Sequence, residues 1–441
     1  MSTAPSAPSV FMATLGCSKN QVDSDKIVAV LGDSGYRNAE TAAAADVVIV
    51  NTCGFIEDAR RESVQTILDL ADAKRRDAKL VVVGCMAQRY ESDLVAALPE
   101  ADAIIGLDRY PELIDDIDTL TGWQPISIGG VRRSRMDILD VVKRPTPTTP
   151  YAYVKVAEGC NKTCSFCAIP LIRGKQRSRA RASVIAEIEG LVANSVQEVV
   201  LVAQDLAAYG RDNGGGSIER LVAEAADVDG LKRTRLFYLY PREIRQDLVD
   251  VMAGHPGIAD YFDLSLQHAS PKLLRSMRRP GSGDQHLALL ERIRQAAPRA
   301  ATRSSFIVGY PGETDHDHEL LCEFLLAARL DWAGFFPYSA EEGTRAAQLP
   351  DQVPSELAAE RLREVQVIQD DITAAANAGW VGSAVEVLVD QVEDGVAVGR
   401  SFREAPEIDG VILLDAGVEG EWLTAHIDGA YGTDLSASVI R

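Results

Sequence analysis

The feature that most constrains this sequence is a group of three cysteines within eight residues, Cys160, Cys164 and Cys167, with the spacing CxxxCxxC. They follow Tyr151–Ala157, an apolar run with the alternating pattern of a strand. Thiolates this close together on a turn can hold three irons of a cubane 4Fe–4S cluster, which leaves the fourth iron open to another ligand. Structural zinc is the alternative, but it needs a fourth protein ligand at short range, and the nearest downstream histidine is His255. The loop is therefore predicted to hold an iron–sulfur cluster.

The cysteine count and the first residues predict a reducing compartment. The chain of 441 residues has seven cysteines, and the opening MSTAPSAPSV lacks the basic and apolar regions of a signal peptide. An odd number of cysteines without an export signal argues against a disulfide framework. No apolar run approaches the roughly 18 residues of a membrane span. We therefore expect a cytoplasmic protein with no membrane partner.

Three short apolar runs near the start of the chain each end at a cysteine. The runs are residues 10–15, 46–52 and 79–84, and the cysteines are Cys17, Cys53 and Cys85. Amphipathic stretches separate the runs, so the alternation predicts a doubly wound parallel sheet. Open sheets of this kind bind ligands at the carboxyl ends of their strands. One cysteine at a strand end is usually only a small apolar residue. Three in equivalent positions predict a second metal cluster.

The residues beside these cysteines are compatible with a cluster but do not require one. Gly16 and Gly54 allow close approach of the backbone, and nearby hydroxyl and amide groups could bond cluster sulfurs. Taken singly, Ser18, Asn20 and Asn51 are better explained as ordinary residues of strand–helix turns.

Six strand-like runs in the centre of the chain predict a partial (β/α) barrel. They follow an extended connector, RPTPTTP, at residues 144–150. The runs are residues 151–157, 198–203, 235–239, 261–266, 302–308 and 332–338, with helical patterns between them. In barrels the chemistry lies on loops at the carboxyl ends of the strands. The cysteine loop follows the first strand and so has that position.

Other candidate residues also lie at strand ends in this region. Gly309 begins the sequence GYPGE after the fifth strand, where glycine lets a ligand approach and Glu313 could accept hydrogen bonds, although this sequence alone is only a turn. His268 ends the fourth strand as either a proton shuttle or substrate contact, or a polar loop residue satisfied by the backbone. Arg303 could face the barrel and bind a carboxylate, or face outward.

The last segment has the pattern of a small OB-like β-barrel and is acidic. Five short strand-like runs occupy residues 384–389, 395–399, 410–414, 422–428 and 435–440. From residue 377 onward there are twelve acidic and three basic residues, so the segment carries 3 − 12 = −9, within a chain of net charge −20. Binding to nucleic acid needs clustered basic residues. The acidity of the whole chain could steer a basic protein partner or could only aid solubility. The acidic last segment favours the basic partner and makes nucleic acid an unlikely direct substrate.

With these three segments in order, the chain resembles the radical S-adenosylmethionine (SAM) methylthiotransferases over nearly its whole length. CNKTCSFC at residues 160–167 carries the resemblance to the superfamily, and the strand-end cysteines with the terminal barrel narrow it to this family. Residues 399–410 and 264–270 resemble the RimO branch, which methylthiolates an aspartate β-carbon of small-subunit ribosomal protein twelve. The implied domains are a methylthiotransferase N-terminal domain, a linker, a radical SAM core and a TRAM domain, at residues 8–125, 126–150, 151–376 and 377–441.

The resemblance implies two 4Fe–4S clusters with different tasks. The cluster on Cys160, Cys164 and Cys167 would bind SAM and cleave it to a radical. The cluster on the three strand-end cysteines would carry the sulfur to be inserted, and a second SAM would supply the methyl group. The residues assigned to the SAM site are the loop aromatic Phe166, with Gln204, Arg303, Gly309 and Glu313.

The implied partners are a basic ribosomal protein of the small subunit, an electron donor of the flavodoxin or ferredoxin type, and a sulfur donor. One alternative is a tRNA adenosine methylthiotransferase like the MiaB branch, for which a basic barrel would be expected. A second alternative is a non-enzymatic iron–sulfur redox sensor or ribosome-binding scaffold. That alternative does not account for a cluster loop with an open coordination position followed by the Gly309–Glu313 turn.

Overall fold

A parallel sheet of five strands begins the chain in the computed structural model, which describes residues 7–123, 137–214, 216–279 and 281–440. The strands are β1 (Ser9–Thr14), β2 (Arg37–Asn38), β3 (Val47–Thr52), β4 (Lys79–Gly84) and β5 (Ala103–Ile105). The helices between and after them are α1 (Ser18–Asp33), α2 (Glu57–Ala73), α3 (Cys85–Ala97) and α4 (Leu113–Thr121). The strand order is β2-β1-β3-β4-β5, so the predicted doubly wound sheet is confirmed.

Apolar side chains cover both faces of this sheet. Val47 and Ile49 of β3 belong to one core cluster with residues of α1 and α4, whereas Val48 and Val50 belong to another with residues of α2 and α3. Successive side chains of a strand point to opposite faces. A strand covered by helices on both faces is therefore apolar at consecutive positions rather than alternating, as the VVIV run is.

The described contacts divide the chain into two units. The first holds Met1–Thr146, Ala157–Asn161 and Ala168–Gly190, and the second holds Pro147–Val156, Lys162–Cys167 and Leu191–Arg441. The first strand of the second unit is β6 (Tyr151–Lys155). The elements that follow it in the sequence belong to the first unit: β7 (Ala157–Glu158), α5 (Ile169–Arg173), β8 (Arg177–Ser178) and most of α6 (Arg181–Val192). The domain boundaries given above stay predictions, and residues 124–136, which include the start of the predicted linker, lie outside the described residues.

Six parallel strands of the second unit form the predicted partial barrel. After β6 come β9 (Glu198–Val202), β10 (Arg233–Leu236), β11 (Tyr261–Gln267), β12 (Ala301–Val308) and β13 (Trp332–Pro337). The helices are α7 (Ile218–Ala226), α8 (Gln246–Gly254), α9 (Pro271–Ser276), α10 (Gly283–Ala296), α11 (Asp315–Ala328) and α12 (Ser355–Ala378). Sheets β10-β9-β6 and β11-β12-β13 are joined by parallel bridges between Thr234 and Ile258 and between Leu239 and Leu264. Among the helices of the described ranges, none has the length and apolar character needed to span a bilayer.

Two strands of this barrel end two or more residues earlier than the sequence pattern predicts. The run 151–157 is divided, because β6 ends at Lys155 and β7 pairs instead with β8 in an antiparallel ribbon. β10 ends at Leu236, since Tyr238 adopts a left-handed backbone with φ of 63° and donates its N–H to the Asp263 carboxylate at 2.9 Å. Both departures occur where the chain leaves the sheet to form a loop.

The end of the chain is a closed barrel, as predicted. Its strands are β14 (Ala384–Glu393), β15 (Val396–Arg400), β16 (Ile412–Leu414), β17 (Trp422–Tyr431) and β18 (Asp434–Val439), in the closed order β14-β15-β16-β18-β17. Apolar side chains such as Val387, Ile412 and Ile427 fill its interior. Buried and exposed residues alternate along the first half of β17, which is the pattern of a strand with one face in a core.

A buried carboxylate joins this barrel to the central strands of the second unit. Glu198 of β9 is fully buried and accepts a hydrogen bond from Arg235 Nε at 2.8 Å. Its other oxygen lies 3.2 Å from Arg400 Nη1 and 3.4 Å from Arg233 Nη1. Burial by itself raises the pKa of Glu198, but Arg400, Arg235 and Arg233 outweigh burial and lower the pKa to about 2. The carboxylate is therefore charged and shared among three guanidinium groups.

We expect Glu198→Gln to destabilise the protein by about 3–5 kcal/mol at neutral pH, because it removes the shared anion of a buried ion-pair network. The folded-state pKa is lowered from its ordinary value of 4.5. The stabilisation is therefore complete above pH 4.5 and is lost as the pH falls from 4.5 toward 2. Urea unfolding followed by circular dichroism at several pH values measures both effects.

Glu224→Gln is the matched control, since Glu224 is a partly exposed helix residue that pairs with Arg220 one turn away. Its expected cost is below about 0.5 kcal/mol. Equal destabilisation by the two substitutions would contradict a special role for the buried network.

Candidate functional site

Three cysteines meet at the carboxyl edge of the first sheet. Cys17 precedes α1, Cys53 follows β3 directly, and Cys85 begins α3 directly after β4. Cys53 and Cys85 are buried, with 8% and 5% of their surface exposed, and Cys17 is half-buried. Asn20 contacts all three positions. Its N–H donates to the Cys17 carbonyl at 2.8 Å, its Nδ2 atom donates to the carbonyl of Thr52, the residue before Cys53, and its Oδ1 atom lies 3.8 Å from Cys85 Sγ. The structure therefore brings the predicted triad together, and none of the three forms a disulfide.

Glycine makes this convergence sterically possible. Gly16 has φ of 88°, and a Cβ atom there would lie 2.7 Å from Cys53 Cβ and 2.9 Å from Cys53 Sγ. At Gly54, a Cβ atom would lie 2.8 Å from the backbone nitrogen of Met86. Real Cβ atoms do not approach other heavy atoms this closely. The turns that carry the cysteines can therefore pass one another only because these two residues lack side chains.

Two buried asparagines tie the strand ends to each other. Asn20 Nδ2 donates to the carbonyl oxygens of Leu15 at 2.9 Å and Thr52 at 3.0 Å. Asn51 Nδ2 donates to the Asn20 carbonyl oxygen and to Ser24 Oγ, both at 2.9 Å. These bonds agree with the interpretation of both asparagines as turn residues. Asn20 has a second function, because its Oδ1 atom lies 3.8 Å from Cys85 Sγ.

Arg173, which the sequence did not single out, lies at the centre of this site. It ends α5, and its side chain is 1% exposed. Its Nε atom donates to Cys85 Sγ at 3.1 Å, and its Nη2 atom donates to Asn20 Oδ1 at 2.6 Å. Its Nη1 atom contacts the carboxylates of Asp23 at 3.1 Å and Glu158 at 2.9 Å. All the nitrogen atoms of the guanidinium therefore have partners, and one of those partners is a cysteine sulfur.

The charges around the three thiols affect them differently. Burial raises the pKa of Cys85 to about 12, although Arg173 acts to lower it, and burial also raises the pKa of Cys53. At Cys17, burial raises the pKa, but Lys19 and Arg173 outweigh burial and the net pKa falls below its ordinary value. Two of the three thiols are thus poor thiolates without a bound cation. Three sulfur donors around a buried guanidinium N–H fit a thiolate-ligated iron–sulfur group.

The loop with the CxxxCxxC spacing begins in the first unit, where backbone bonds fix its first cysteine. The Cys160 N–H donates to the Gly174 carbonyl at 3.1 Å, directly after Arg173. The next residue, Asn161, accepts the Gln176 N–H on its side chain at 3.1 Å. Gly159 has φ of 75°, and a Cβ atom there would lie 2.3 Å from the Lys175 carbonyl oxygen. The chain before Cys160 is therefore pressed against residues 174–176.

The remainder of the loop belongs to the second unit and has its own anchors. Ser165 donates its N–H to the Met277 carbonyl at 3.0 Å, and its hydroxyl is 2.8 Å from that of Tyr310. Arg279 Nη1 lies 3.5 Å from Cys164 Sγ. Cys164 therefore resembles Cys85 in having an arginine N–H directed at its sulfur.

Lys162 of the same loop packs with a charged and aromatic group. Its Nζ atom contacts Glu243 at 2.6 Å and Asp205 at 3.3 Å, and it lies 4.5 Å from the ring centre of Tyr240. Arg279 stacks over the same ring at 4.2 Å. The Tyr240 ring thus lies close to two cations, and Tyr240 and Arg279 line a small cleft within the second unit.

The residues assigned to the SAM site have these surroundings in the structure. Phe166 is half-buried against the apolar cluster that includes Tyr310, and Gln204 is half-buried directly after β9. Arg303 makes ion pairs with Asp263 at 3.1 Å and Asp409 at 3.2 Å. The assignment of these residues to SAM stays a prediction, and Arg303 already has two carboxylate partners inside the second unit.

The turn after β12 is also engaged within the protein. Gly309 has φ of 76°, and a Cβ atom there would lie 2.6 Å from Ala358 Cβ of α12. Glu313 is buried, accepts the N–H groups of Gly309 and Tyr310 (the latter at 3.0 Å), and lies 3.4 Å from Arg361 Nη1. Glu313 thus closes its own turn, and its role toward SAM likewise stays a prediction.

His268 is a structural residue. It is fully buried, and its Nδ1 atom accepts the N–H groups of Ala269 at 2.9 Å and Ser270 at 3.0 Å. Burial lowers the pKa of His268 to about 3, so the ring is neutral at physiological pH. The backbone therefore satisfies Nδ1, whereas the buried Nε2 atom has no hydrogen-bond partner among the described residues.

Three known families match successive parts of the chain. Residues 9–106 match Uncharacterized protein family UPF0004, residues 154–325 match the Radical SAM superfamily, and residues 381–440 match the TRAM domain. Together they cover the first sheet, most of the partial barrel and the terminal barrel, in the order expected from the sequence.

Full-length relatives are also similar to the chain. It is 43% identical over 428 residues to the ribosomal protein uS12 methylthiotransferase RimO of Moorella thermoacetica, covering 96% of this chain and 97% of that protein. It is 41% identical over 477 residues to the protein of the same name from Kineococcus radiotolerans, covering 99% and 98%. Among solved structures, the radical SAM methyltransferase TsrM of Kitasatospora setae aligns with a TM-score of 0.55 and 17% identity over 75% of this chain and 72% of that chain, which supports the fold alone.

Gly16→Ala tests whether the crowded turn is needed to bring the cysteines together. The new Cβ atom would overlap Cys53, and the backbone is left-handed at this position. We expect a loss of about 1–3 kcal/mol in the free energy of unfolding. Gly32→Ala, in α1 with open space around it, is the control and should stabilise by up to about 1 kcal/mol. Urea unfolding measures both, and an unchanged midpoint for Gly16→Ala would contradict the packing described.

Proposed function

The chain belongs to the RimO family of radical SAM methylthiotransferases, and on that premise we propose that it adds a methylthio group to the β-carbon of an aspartate in ribosomal protein uS12. The observation that carries this proposal is the placement of Cys17, Cys53 and Cys85 at one edge of the first sheet, where the buried Arg173 contacts Cys85, in the same chain as the CxxxCxxC loop. Two separate sets of three thiols match a reaction that needs both a radical and a sulfur atom.

We assign one 4Fe–4S cluster to each set of cysteines. Cys160, Cys164 and Cys167 would hold the cluster that binds SAM, and the strand-end triad would hold the second. When bound, these groups and SAM supply the radical that removes hydrogen from an unactivated carbon, the inserted sulfur and the methyl group. Three cysteines per cluster leave one iron open in each, which both tasks require.

Residues of the chain prepare the two sets of thiols. Arg173 and Arg279 each direct an N–H at a cysteine sulfur, Cys85 in the first unit and Cys164 in the second. A cationic donor stabilises the thiolate form, which is the form that ligates metal. Ser165 fixes the backbone between the second and third cysteines of the loop through bonds to Met277 and Tyr310.

We further propose that Phe166, Gln204, Gly309 and Glu313 border the bound SAM, as the family resemblance implies. All four lie in the second unit, on the loop or directly after strands β9 and β12. Arg303 would join them through its guanidinium, which would then be shared with its present carboxylate partners Asp263 and Asp409.

The surface of the terminal barrel favours a basic protein as substrate. Arg400 and Arg403 are the basic residues among the described positions 377–440, and both are 1% exposed and held in ion pairs. The exposed acidic residues of the barrel are Glu386, Glu393, Asp394, Glu407, Asp415, Glu419, Glu421 and Asp428. The barrel therefore offers carboxylates to a partner and, over its described residues, no exposed lysine or arginine for RNA phosphates. This charge argues against the tRNA alternative.

The remaining partners stay predictions. An electron donor of the flavodoxin or ferredoxin type would reduce the clusters, and a sulfur donor would renew the inserted atom. The cytoplasmic location also stays a prediction from the sequence.

Iron counting tests the two ligand sets. Anaerobically reconstituted protein should hold about eight irons per chain, and replacing Cys160, Cys164 and Cys167 with alanine should leave about four and abolish SAM cleavage. Replacing Cys17, Cys53 and Cys85 should also leave about four, while SAM cleavage continues and sulfur insertion stops. Cys322→Ala is the control and should retain all the iron. Eight irons surviving either triple substitution would refute the assignment.

Mass spectrometry of ribosomal proteins tests the substrate. Deleting the gene in its host should lower the mass of intact uS12 by about 46 Da, the net gain when SCH3 replaces hydrogen. Returning the wild-type gene should restore the mass, and the Cys17, Cys53 and Cys85 triple variant should not. Unchanged uS12 with missing tRNA thiomethylation would support the tRNA alternative, and unchanged uS12 and tRNA would support a non-enzymatic role.

A further inference from the structure

Arg173 is placed to act on the first-unit cluster electrically as well as structurally. Its side chain is 1% exposed, so its charge is poorly screened by water. Its Nε–H points at Cys85 Sγ at a distance of 3.1 Å, which is short for a hydrogen bond to sulfur. The apolar residues Ala168 and Ile172, from the same short stretch, pack against Cys85. The guanidinium and the sulfur therefore meet in a dry environment.

The guanidinium is held in one orientation by three partners on two other segments. Asn20 of α1, itself fixed by two backbone carbonyls, accepts from Nη2 at 2.6 Å. Asp23 of the same helix and Glu158 of β7 lie at 3.1 and 2.9 Å from Nη1. This set directs Nε, rather than a terminal nitrogen, toward the sulfur. A lysine at position 173 could keep the charge but not this fork of bonds.

Reduction of a cluster at this site adds one electron and therefore one negative charge, with no bond formed or broken and no proton required. A fixed cation and an N–H donor to a ligand sulfur stabilise the added charge, and hydrogen bonds to cluster sulfurs are an established means of setting reduction potentials. The carboxylates of Asp23 and Glu158 oppose this effect because they bring negative charge to the same site.

We propose that Arg173 sets the reduction potential of the cluster on Cys17, Cys53 and Cys85, raising it through the Nε–H bond to Cys85 and its own charge, and that Asp23 moderates the effect. This inference rests on the proposed function, which assigns a cluster to those cysteines. It makes Arg173 a positioning and tuning residue, because it touches a ligand sulfur and not the substrate.

The test is potentiometry of the reconstituted full-length protein, with electron paramagnetic resonance as the readout and dithionite as the reductant. Arg173→Gln should lower the potential of the first-unit cluster by at least 59 mV, which is a tenfold change in the equilibrium constant of a one-electron couple. The potential of the CxxxCxxC cluster should not move. The same measurement in the full-length chain with Cys160, Cys164 and Cys167 replaced by alanine isolates the signal of the first-unit cluster.

Asp23→Asn gives a result of the opposite sign. It removes a negative charge beside Arg173 and leaves Glu158 to hold the guanidinium, so the potential of the same cluster should rise. Arg173→Lys should give a potential between those of the wild type and Arg173→Gln, because it keeps the charge without the Nε–H bond. A purely structural role for the site does not predict opposite shifts. Arg109→Gln, an exposed arginine of the same unit, is the control and should leave both potentials unchanged.

The possible outcomes separate this inference from the proposed function. If replacing the strand-end cysteines leaves the iron content unchanged, the ligand assignment fails, and the inference fails with it. If the cluster is present in both variants but neither potential moves, the inference alone is overturned. If Arg173→Gln assembles no cluster, the reduction potentials of Asp23→Asn and Arg173→Lys decide. Shifts in the stated directions support the inference, and unchanged potentials overturn it.

Discussion

Parallel strands that lie side by side in one sheet end at the same edge, and the placement of the first-unit thiols depends on this constraint. Cys17, Cys53 and Cys85 are far apart in the sequence but follow the neighbouring strands β1, β3 and β4. Helices on both faces of the sheet keep the register fixed, because a slip by one residue would exchange the two apolar cores. The position of each sulfur is therefore as well determined as the core itself.

Buried ion pairs join segments that the strand pairing of the sheets does not connect. Arg173 joins α5 to α1, β7 and a cysteine, and Glu198 joins β9 to β10 and the terminal barrel. A buried charge costs several kcal/mol unless it is paired and hydrogen-bonded, so each such group requires its partners to be present together. Both groups are charged links between segments distant in sequence. Each unit thus has at least one buried ion-pair centre whose members come from segments distant in sequence.

Patterns with a fixed local period were predictable from the sequence. The strands of both sheets, the helices between them and the closed barrel follow from apolar runs and turn residues, and the cysteines could be placed at strand ends by counting. Side-chain partners were not predictable in this way. The ion pairs of Arg303 with Asp263 and Asp409 could not be foreseen, nor could the bonds by which Glu313 closes its own turn. His268 likewise serves the backbone. Such choices depend on which groups from elsewhere in the fold are nearby.

The sequence by itself determined the two sets of three cysteines, the order of the sheets and barrel, and the acidic character of the last segment. These are properties of spacing, period and composition, and they do not depend on distant partners. Only the tertiary structure decided that Arg173 meets Cys85, because the two residues are 88 positions apart and nothing in α5 marks its partner. It also decided that Arg400 and Arg403 of the barrel are buried. The physical reason is the same for both: a buried charge is placed by its partners, and folding alone brings those partners together.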